Sequence, residues 1–138
     1  MAATRTLPTL EATAALGREI AERLRPGDAI LLEGPLGAGK SALARAILRA
    51  LLRDPALVVP SPTFTLLQTY EGPDFPVAHF DLWRLDGPGA LTELGWDEAR
   101  DGVVIVEWPD RLGAHRPEEA TVITLAYGPG DTRIATIG

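Results

Sequence analysis

Residues 34–41 read Gly-Pro-Leu-Gly-Ala-Gly-Lys-Ser, an unbroken match to G-x-x-x-x-G-K-[ST]. The flanks fit the motif. Ala29 to Glu33 is a short apolar run that reads as a buried strand, and Ser41 to Leu52 carries Leu43, Ile47 and Leu51 on one helical face. A strand that turns through glycines into a helix aims successive backbone N–H groups at one point, and the positive end of the helix completes an anion nest. Lys40 then sets an ammonium against the β- and γ-phosphates of a nucleotide, and the Ser41 hydroxyl is a ligand for Mg²⁺. Gly34, Leu36, Gly37, Ala38, Gly39, Lys40, Ser41 and Ala42 are therefore the expected phosphate-side residues. The plainer alternative is a glycine-rich turn with a solvated lysine. Lys40 is, however, the only lysine of a chain with twelve arginines, and it stands at the one position where this loop needs it.

Length and composition bound the rest. The 138 residues amount to about one domain, and no linker or repeat divides them, so 1–138 reads as a single unit. The net charge of −6 argues against a protein that binds nucleic acid mainly by neutralising phosphates. Cysteine is absent, which excludes disulfides, thiolate zinc sites and cysteine nucleophiles; two histidines, His79 and His115, make a multi-histidine metal cage improbable. No apolar run reaches the roughly 18 residues of a membrane span, and Met1 to Leu10 lacks a signal-peptide core, so a cytoplasmic location is expected.

Residues 9–24 place Leu16, Ile20 and Leu24 at helical spacing, with Glu11 early and Arg23 late, and Pro26-Gly27-Asp28 ends that helix. Val58-Val59 reads as a brief strand. Thr63 to Tyr70 and Val77 to Leu82 read as two strands around Glu71–Pro76, and Ala90 to Ala99 as a short helix. Val103 to Val106 is a second buried strand, 109–119 is polar and irregular, and Thr121–Tyr127 with Thr132–Ile137 form a terminal hairpin. Early alternation of strand and helix with later hairpins predicts an α/β layered fold of the P-loop NTPase kind. Its mixed sheet is parallel at the centre and antiparallel at the flanks, with helices on its faces.

A phosphate loop needs a carboxylate near the metal and a group that orients water before it can hydrolyse anything. The strand 103–106 delivers Glu107 to its C-terminal end, where ligands collect in open α/β sheets, as a direct or water-mediated Mg²⁺ carboxylate; otherwise it is a solvated strand-end acid. Asp81 is the second candidate, for water activation or outer-shell Mg²⁺ binding. Thr63 and Thr65 read either as loop hydroxyls that sense a γ-phosphate or as ordinary strand threonines. His79 reads as a packed strand residue and Arg84 as a surface ion-pair partner, while Trp83, Trp96 and Trp108 are core residues or, for Trp108, part of the site wall. Guanine is commonly read through an Asn-Lys-x-Asp segment; with no asparagine and its one lysine committed to phosphate, the chain is better suited to ATP.

The order GPLGAGKS, SPTFTLLQTY (61–70), HFDLWRL (79–85), ELGWDE (93–98) and VEWPDR (106–111) resembles the bacterial TsaE (YjeE) family. The likeness runs from about Leu7 to Arg111 and is faint over the terminal hairpin. It implies a small Mg²⁺-dependent ATPase that supports threonylcarbamoyl-adenosine modification at position 37 of ANN-decoding tRNAs. The implied partners are TsaB and TsaD, with tRNA contacted only indirectly and no membrane involved. The resemblance also implies catalytic roles for Lys40, Asp81, Glu107 and the switch-like Thr63, and Mg²⁺ ligation by Ser41, Glu107 and Asp81. It places Trp108 beside the nucleotide and Thr9 and Leu10 near the adenine. Departures are Ser41 for the commoner threonine, Trp83 where tyrosine is usual, and Pro35 for a frequent aspartate; none removes a group that hydrolysis needs. Two other readings compete: a small metabolite kinase, for whose acceptor pocket and lid the chain has little room, and a nucleotide-binding adaptor without turnover.

Overall fold

The computed structural model describes residues 3–60, 66–87 and 89–138. Along the chain these form β1 (Ala3–Leu7), α1 (Leu10–Arg23), β2 (Ala29–Glu33), α2 (Lys40–Leu51), β3 (Leu67–Glu71) and β4 (Pro76–Asp81). There follow α3 (Ala90–Glu93), α4 (Trp96–Ala99), β5 (Val103–Glu107), a 3-10 helix (Pro109–His115), β6 (Thr121–Tyr127) and β7 (Arg133–Ile137). The strands make one sheet in the order β1-β7-β6-β2-β5-β4-β3. The four neighbours β6, β2, β5 and β4 run parallel, whereas β7 and β3 pair antiparallel at either side. The chain thus adopts the α/β layered architecture expected from its sequence.

The continuous apolar runs of β2 and β5 follow from burial on both faces. On one face Ile30, Leu32, Val77, Val103 and Ile105 meet Leu16 and Ile20 of α1 and Leu43, Ile47 and Leu48 of α2. On the other, Leu31, Phe80, Val104 and Val106 meet Leu91, Trp96 and Leu112 from the short helices, with Phe80 edge-on to Trp96 at 5.1 Å. Thr9 caps α1, its Oγ1 accepting the Ala12 N–H at 3.1 Å, while Glu11 and Arg23 complement the helix dipole.

The structure corrects three local readings and adds a strand. Val58-Val59 forms no strand: Val58 is 82% exposed, and Pro60 follows directly, so the pair has neither a ladder partner nor room to extend. Ala90–Ala99 is two single-turn helices, broken where Gly95 takes φ +80°. The polar stretch after Trp108 carries 3-10 turns within Pro109–His115, anchored by buried Pro109 and Leu112 and kinked at Gly113, where φ is +55°. The strand β1, which hydropathy did not signal, pairs along β7 as an edge with only Leu7 buried. Of the reading of 63–70 as a strand, Leu67–Tyr70 lies in β3; Thr63 and Thr65 fall outside the described residues. Among the described residues no helix is long and apolar enough to cross a membrane.

Candidate functional site

The C-terminal ends of β2, β4 and β5 converge with the N-terminus of α2 around a cavity of about 410 Å³. Leu36, Gly37, Gly39, Lys40, Ser41 and Ala42 form one side, and Asp81, Trp83, Arg84, Glu107 and Trp108 the other. The loop between β2 and α2 takes its path through glycines at φ +140° (Gly34), +81° (Gly37) and +104° (Gly39). At Gly34 a Cβ would lie 2.3 Å from the Leu125 carbonyl oxygen, so β6 presses on the loop too closely for any side chain.

Lys40 is only 5% exposed. Its ammonium turns back into the loop, donating to the carbonyls of Gly34 and Pro35, the latter at 3.1 Å, and lies 3.9 Å from the centroid of the Trp108 ring. Burial pushes the Lys40 ammonium below the ordinary lysine value, and the nearby carboxylates of Glu107, Asp81 and Asp110 pull in the opposite direction. Next in sequence, Ser41 Oγ donates to Glu107 Oε1 at 3.0 Å. The other oxygen, Glu107 Oε2, is 2.7 Å from His79 Nε2 in a pair shielded from solvent.

Asp81 and Glu107 are register partners at the ends of β4 and β5. The Leu82 N–H donates to the Glu107 carbonyl, and the Trp83 N–H to Asp81 Oδ1 at 3.2 Å, which turns the chain after β4 over the cavity. That turn lays Trp83 against Trp108, ring centroids 4.4 Å apart. A hydroxyl and two carboxylates beside an anion nest form an all-oxygen donor set. That set suits a hard cation such as Mg²⁺, which keeps several waters and shares its shell with phosphate oxygens. Among the described residues no group of three or more His, Cys, Asp and Glu is placed to hold a metal ion by itself.

Most of the residues singled out from sequence therefore come together: Leu36, Gly37, Gly39, Lys40, Ser41, Ala42, Asp81, Glu107 and Trp108 all line the cavity. Ala38 is fully buried beneath the loop, and Gly34 serves as the carbonyl that Lys40 engages. Thr9 and Leu10 do not reach this cavity. Thr9 spends its hydroxyl on the cap, and Leu10, 74% exposed, borders a neighbouring groove between α1 and α2 that meets the cavity at Ala42. Thr63 lies outside the described residues.

Sequence reasoning left Trp83 as a core residue and Arg84 as a surface one, yet both line the cavity, and three more residues it did not assign to the site belong to its surroundings. His79 shares a strand face with Asp81, and that i, i+2 spacing was the available signal. Tyr127 and Arg133 come from the terminal hairpin: the Tyr127 hydroxyl donates to the Leu36 carbonyl, and the Arg133 guanidinium lies 4.8 Å from the Tyr127 ring centroid. Nothing in the local pattern of that hairpin points to the loop.

Comparison with known proteins identifies the family. Residues 7–134 match the family model described as threonylcarbamoyl adenosine biosynthesis protein TsaE. A Rickettsia conorii tRNA threonylcarbamoyladenosine biosynthesis protein TsaE is 41% identical over 106 residues, covering 76% of this chain and 60% of that protein. The chain thus spans less than two thirds of the length of that relative. The Rickettsia bellii protein of the same name is 34% identical over 128 residues, covering 92% of this chain and 88% of its own. The crystal structure of Bacillus subtilis YdiB superposes with a TM-score of 0.82 at 28% identity, covering 99% of this chain and 84% of that one. With a layered sheet, a glycine-rich loop between β2 and α2 and a matching sequence from β1 into β7, the chain belongs to the TsaE family of threonylcarbamoyl adenosine biosynthesis proteins.

Proposed function

We propose that this chain is a cytoplasmic Mg²⁺-dependent ATPase that supports the TsaB–TsaD pair in tRNA threonylcarbamoyl-adenosine formation, contacting tRNA only indirectly. The observation that carries the reading is the contact of Ser41 with Glu107 beside the loop that holds Lys40. It brings a hydroxyl, a carboxylate and a cation to one end of an anion nest, the minimum set for a metal-bound triphosphate. Magnesium, when bound with the nucleotide, would supply charge stabilisation across the β- and γ-phosphates, held by Ser41 and Glu107 with Asp81 in reach of its waters.

The chain's own residues do the remainder. The loop amides and the N-terminus of α2 bind phosphate oxygens, and Lys40 leaves the Gly34 and Pro35 carbonyls to do the same. Trp83 and Trp108, packed against each other at a tilt, cover one side of the cavity and limit water there. Asp81, which accepts the Trp83 N–H and lines the cavity, is the residue assigned to orient an attacking water. Thr63 is assigned as the loop hydroxyl that responds to the γ-phosphate, and the segment at Thr9 and Leu10 as the neighbour of the adenine. ATP is favoured over GTP because the chain has no asparagine and its only lysine is in the loop. The acidic balance, −6 overall, supports protein partners rather than RNA as the direct contact.

The test is phosphate release from ATP and from GTP with Mg²⁺ and no acceptor, with and without purified TsaB and TsaD. Release from ATP that rises when both partners are added is the expected result. Release that appears only with a phosphate acceptor would replace this reading by a kinase, and nucleotide binding without release under any condition would replace it by an adaptor.

A further inference from the structure

We propose that His79 is a positioning residue for Glu107. Its ring donates Nε2–H to Glu107 Oε2, which turns the remaining oxygen, Oε1, toward Ser41 and the glycine-rich loop. The inference rests on the reading of Glu107 as the magnesium carboxylate.

The geometry begins in the register of β4 and β5. Asp81 lies beside Glu107 and His79 beside Ile105, so the two β4 side chains, two residues apart, share the sheet face that Glu107 occupies. His79 and Glu107 are each 2% exposed, and the strand below them continues as Val77, Val103 and Ile105 in the apolar cluster under α1 and α2. A polar pair at that depth survives only if its hydrogen bonds are made. The carboxylate can only accept, so the shared proton sits on Nε2. The second ring nitrogen, Nδ1, is buried and has no hydrogen-bond partner among the described residues. A proton there would be a buried donor with nothing to receive it, whereas a lone pair left unmet is the better tolerated of the two. Both nitrogens thus point to one tautomer, with the hydrogen on Nε2.

This matters because the last torsion of a glutamate is broad, and a lone strand-end carboxylate would rotate freely. With Oε2 tied to the ring, the plane of the carboxylate is fixed and one oxygen is offered to the loop. Partners of this kind behind a ligating carboxylate are worth roughly 10- to 100-fold in metal affinity.

Two measurements decide it. The first needs no ligand: long-range proton–nitrogen correlation on the empty protein reads the tautomer of each imidazole. His79→Gln and His115→Ala assign the two histidine signals. His79 is expected to carry its proton on Nε2, and a ring protonated on Nδ1 overturns the proposal. The second is calorimetric titration of ADP in EDTA and at graded Mg²⁺, for wild type, His79→Leu and His79→Gln. His79→Leu should leave metal-free ADP affinity within about twofold and raise the Mg²⁺ requirement about tenfold. His79→Gln, whose amide N–H can replace Nε2–H, should recover most of that loss. An unchanged Mg²⁺ requirement in folded His79→Leu overturns the proposal, as does a glutamine variant no better than leucine. If His79→Leu does not fold, the tautomer and the glutamine variant decide alone. Wild-type ADP binding that ignores Mg²⁺ would instead overturn the magnesium reading of Glu107 itself.

Discussion

Lys40→Met separates what the loop does for nucleotide from what it does for the fold. The substitution keeps the length and much of the volume of the side chain and removes its charge. In the empty protein the ammonium gains two hydrogen bonds to loop carbonyls and a cation–π contact with Trp108. Those gains are worth about 1.5–3 kcal/mol for a charge-assisted hydrogen bond and about 0.5–2 kcal/mol for the ring contact. Against them stands the desolvation of a side chain that is only 5% exposed, an effective penalty of several kcal/mol per ion. Pro35 is exposed and Gly34 half-buried, so their carbonyls can return to water when the ammonium goes. The two sides nearly cancel, and urea unfolding of the empty variant should fall within about 1 kcal/mol of wild type. With Mg²⁺–ADP at 100 times its Kd, the wild type should gain about 2.7 kcal/mol and the variant nothing. The pH dependence has a definite sign. Burial lowers the folded-state pKa of Lys40, so the unfolded chain holds that proton more tightly. Stability therefore rises with pH between the lowered folded value and the ordinary unfolded one, and Lys40→Met flattens that rise. A loss above about 2 kcal/mol in the empty variant, or ligand stabilisation that survives the substitution, would refute the argument.

Two further perturbations probe the site and its support. Glu107→Ala leaves the buried His79 Nε2–H without an acceptor, a cost of about 1–3 kcal/mol in urea unfolding; Glu107→Gln keeps shape and an acceptor oxygen and should cost less than about 1 kcal/mol. Both should lose the Mg²⁺ dependence of nucleotide binding, and equal destabilisation by the two would show that the hydrogen bond to His79 contributes nothing. Gly17→Ala tests the seat of α2: the added methyl would lie 2.5 Å from Ala46 Cβ. The helix-propensity gain of about 1 kcal/mol should be outweighed by overpacking of about 1–3 kcal/mol, so a variant more stable than wild type in urea would show slack between α1 and α2.

How far the sequence carried is explained by which forces act locally. The parallel centre was legible because strands buried on both faces must be apolar throughout, as Ala29–Glu33 and Val103–Glu107 are. The loop was legible because glycine, lysine and serine are each needed there for a separate reason. The edge strand β1 was not, since four of its five residues are exposed and its order comes from pairing with residues 133–137, a relation with no local trace. The same holds for Tyr127 and Arg133, which reach the loop only because β6 lies beside β2 in the sheet. His79 was read as a packed histidine, and packed it is; its partner, 28 positions away, is what gives it a role. The break at Gly95 does have a local signal, because a glycine inside a helical pattern marks a stop as readily as the spacing marks a continuation.

Trp108 shows how the site holds itself together before any nucleotide arrives. It follows Glu107 directly and takes φ +61°, ψ +55°, a left-handed conformation that costs a residue with a Cβ about 1–2 kcal/mol. Such strain persists only where the surroundings over-determine it. Here the constraints are visible on both sides: β5 fixes Glu107 through its register with β4, and the 3-10 helix begins at the buried Pro109. The reversal swings the indole out of the line of β5 and over the loop, where it meets the Lys40 ammonium on one partner and Trp83 on the other. In an extended conformation the ring would follow the strand and leave Lys40 uncovered. The resting loop is therefore satisfied from within, with its cation on its own carbonyls and under an aromatic ring. On the proposed reading a phosphate would compete with these contacts for Lys40, so nucleotide affinity would be a difference between two well-made states. That difference passes through Trp108, whose backbone ties it to the carboxylate that Ser41 and His79 hold.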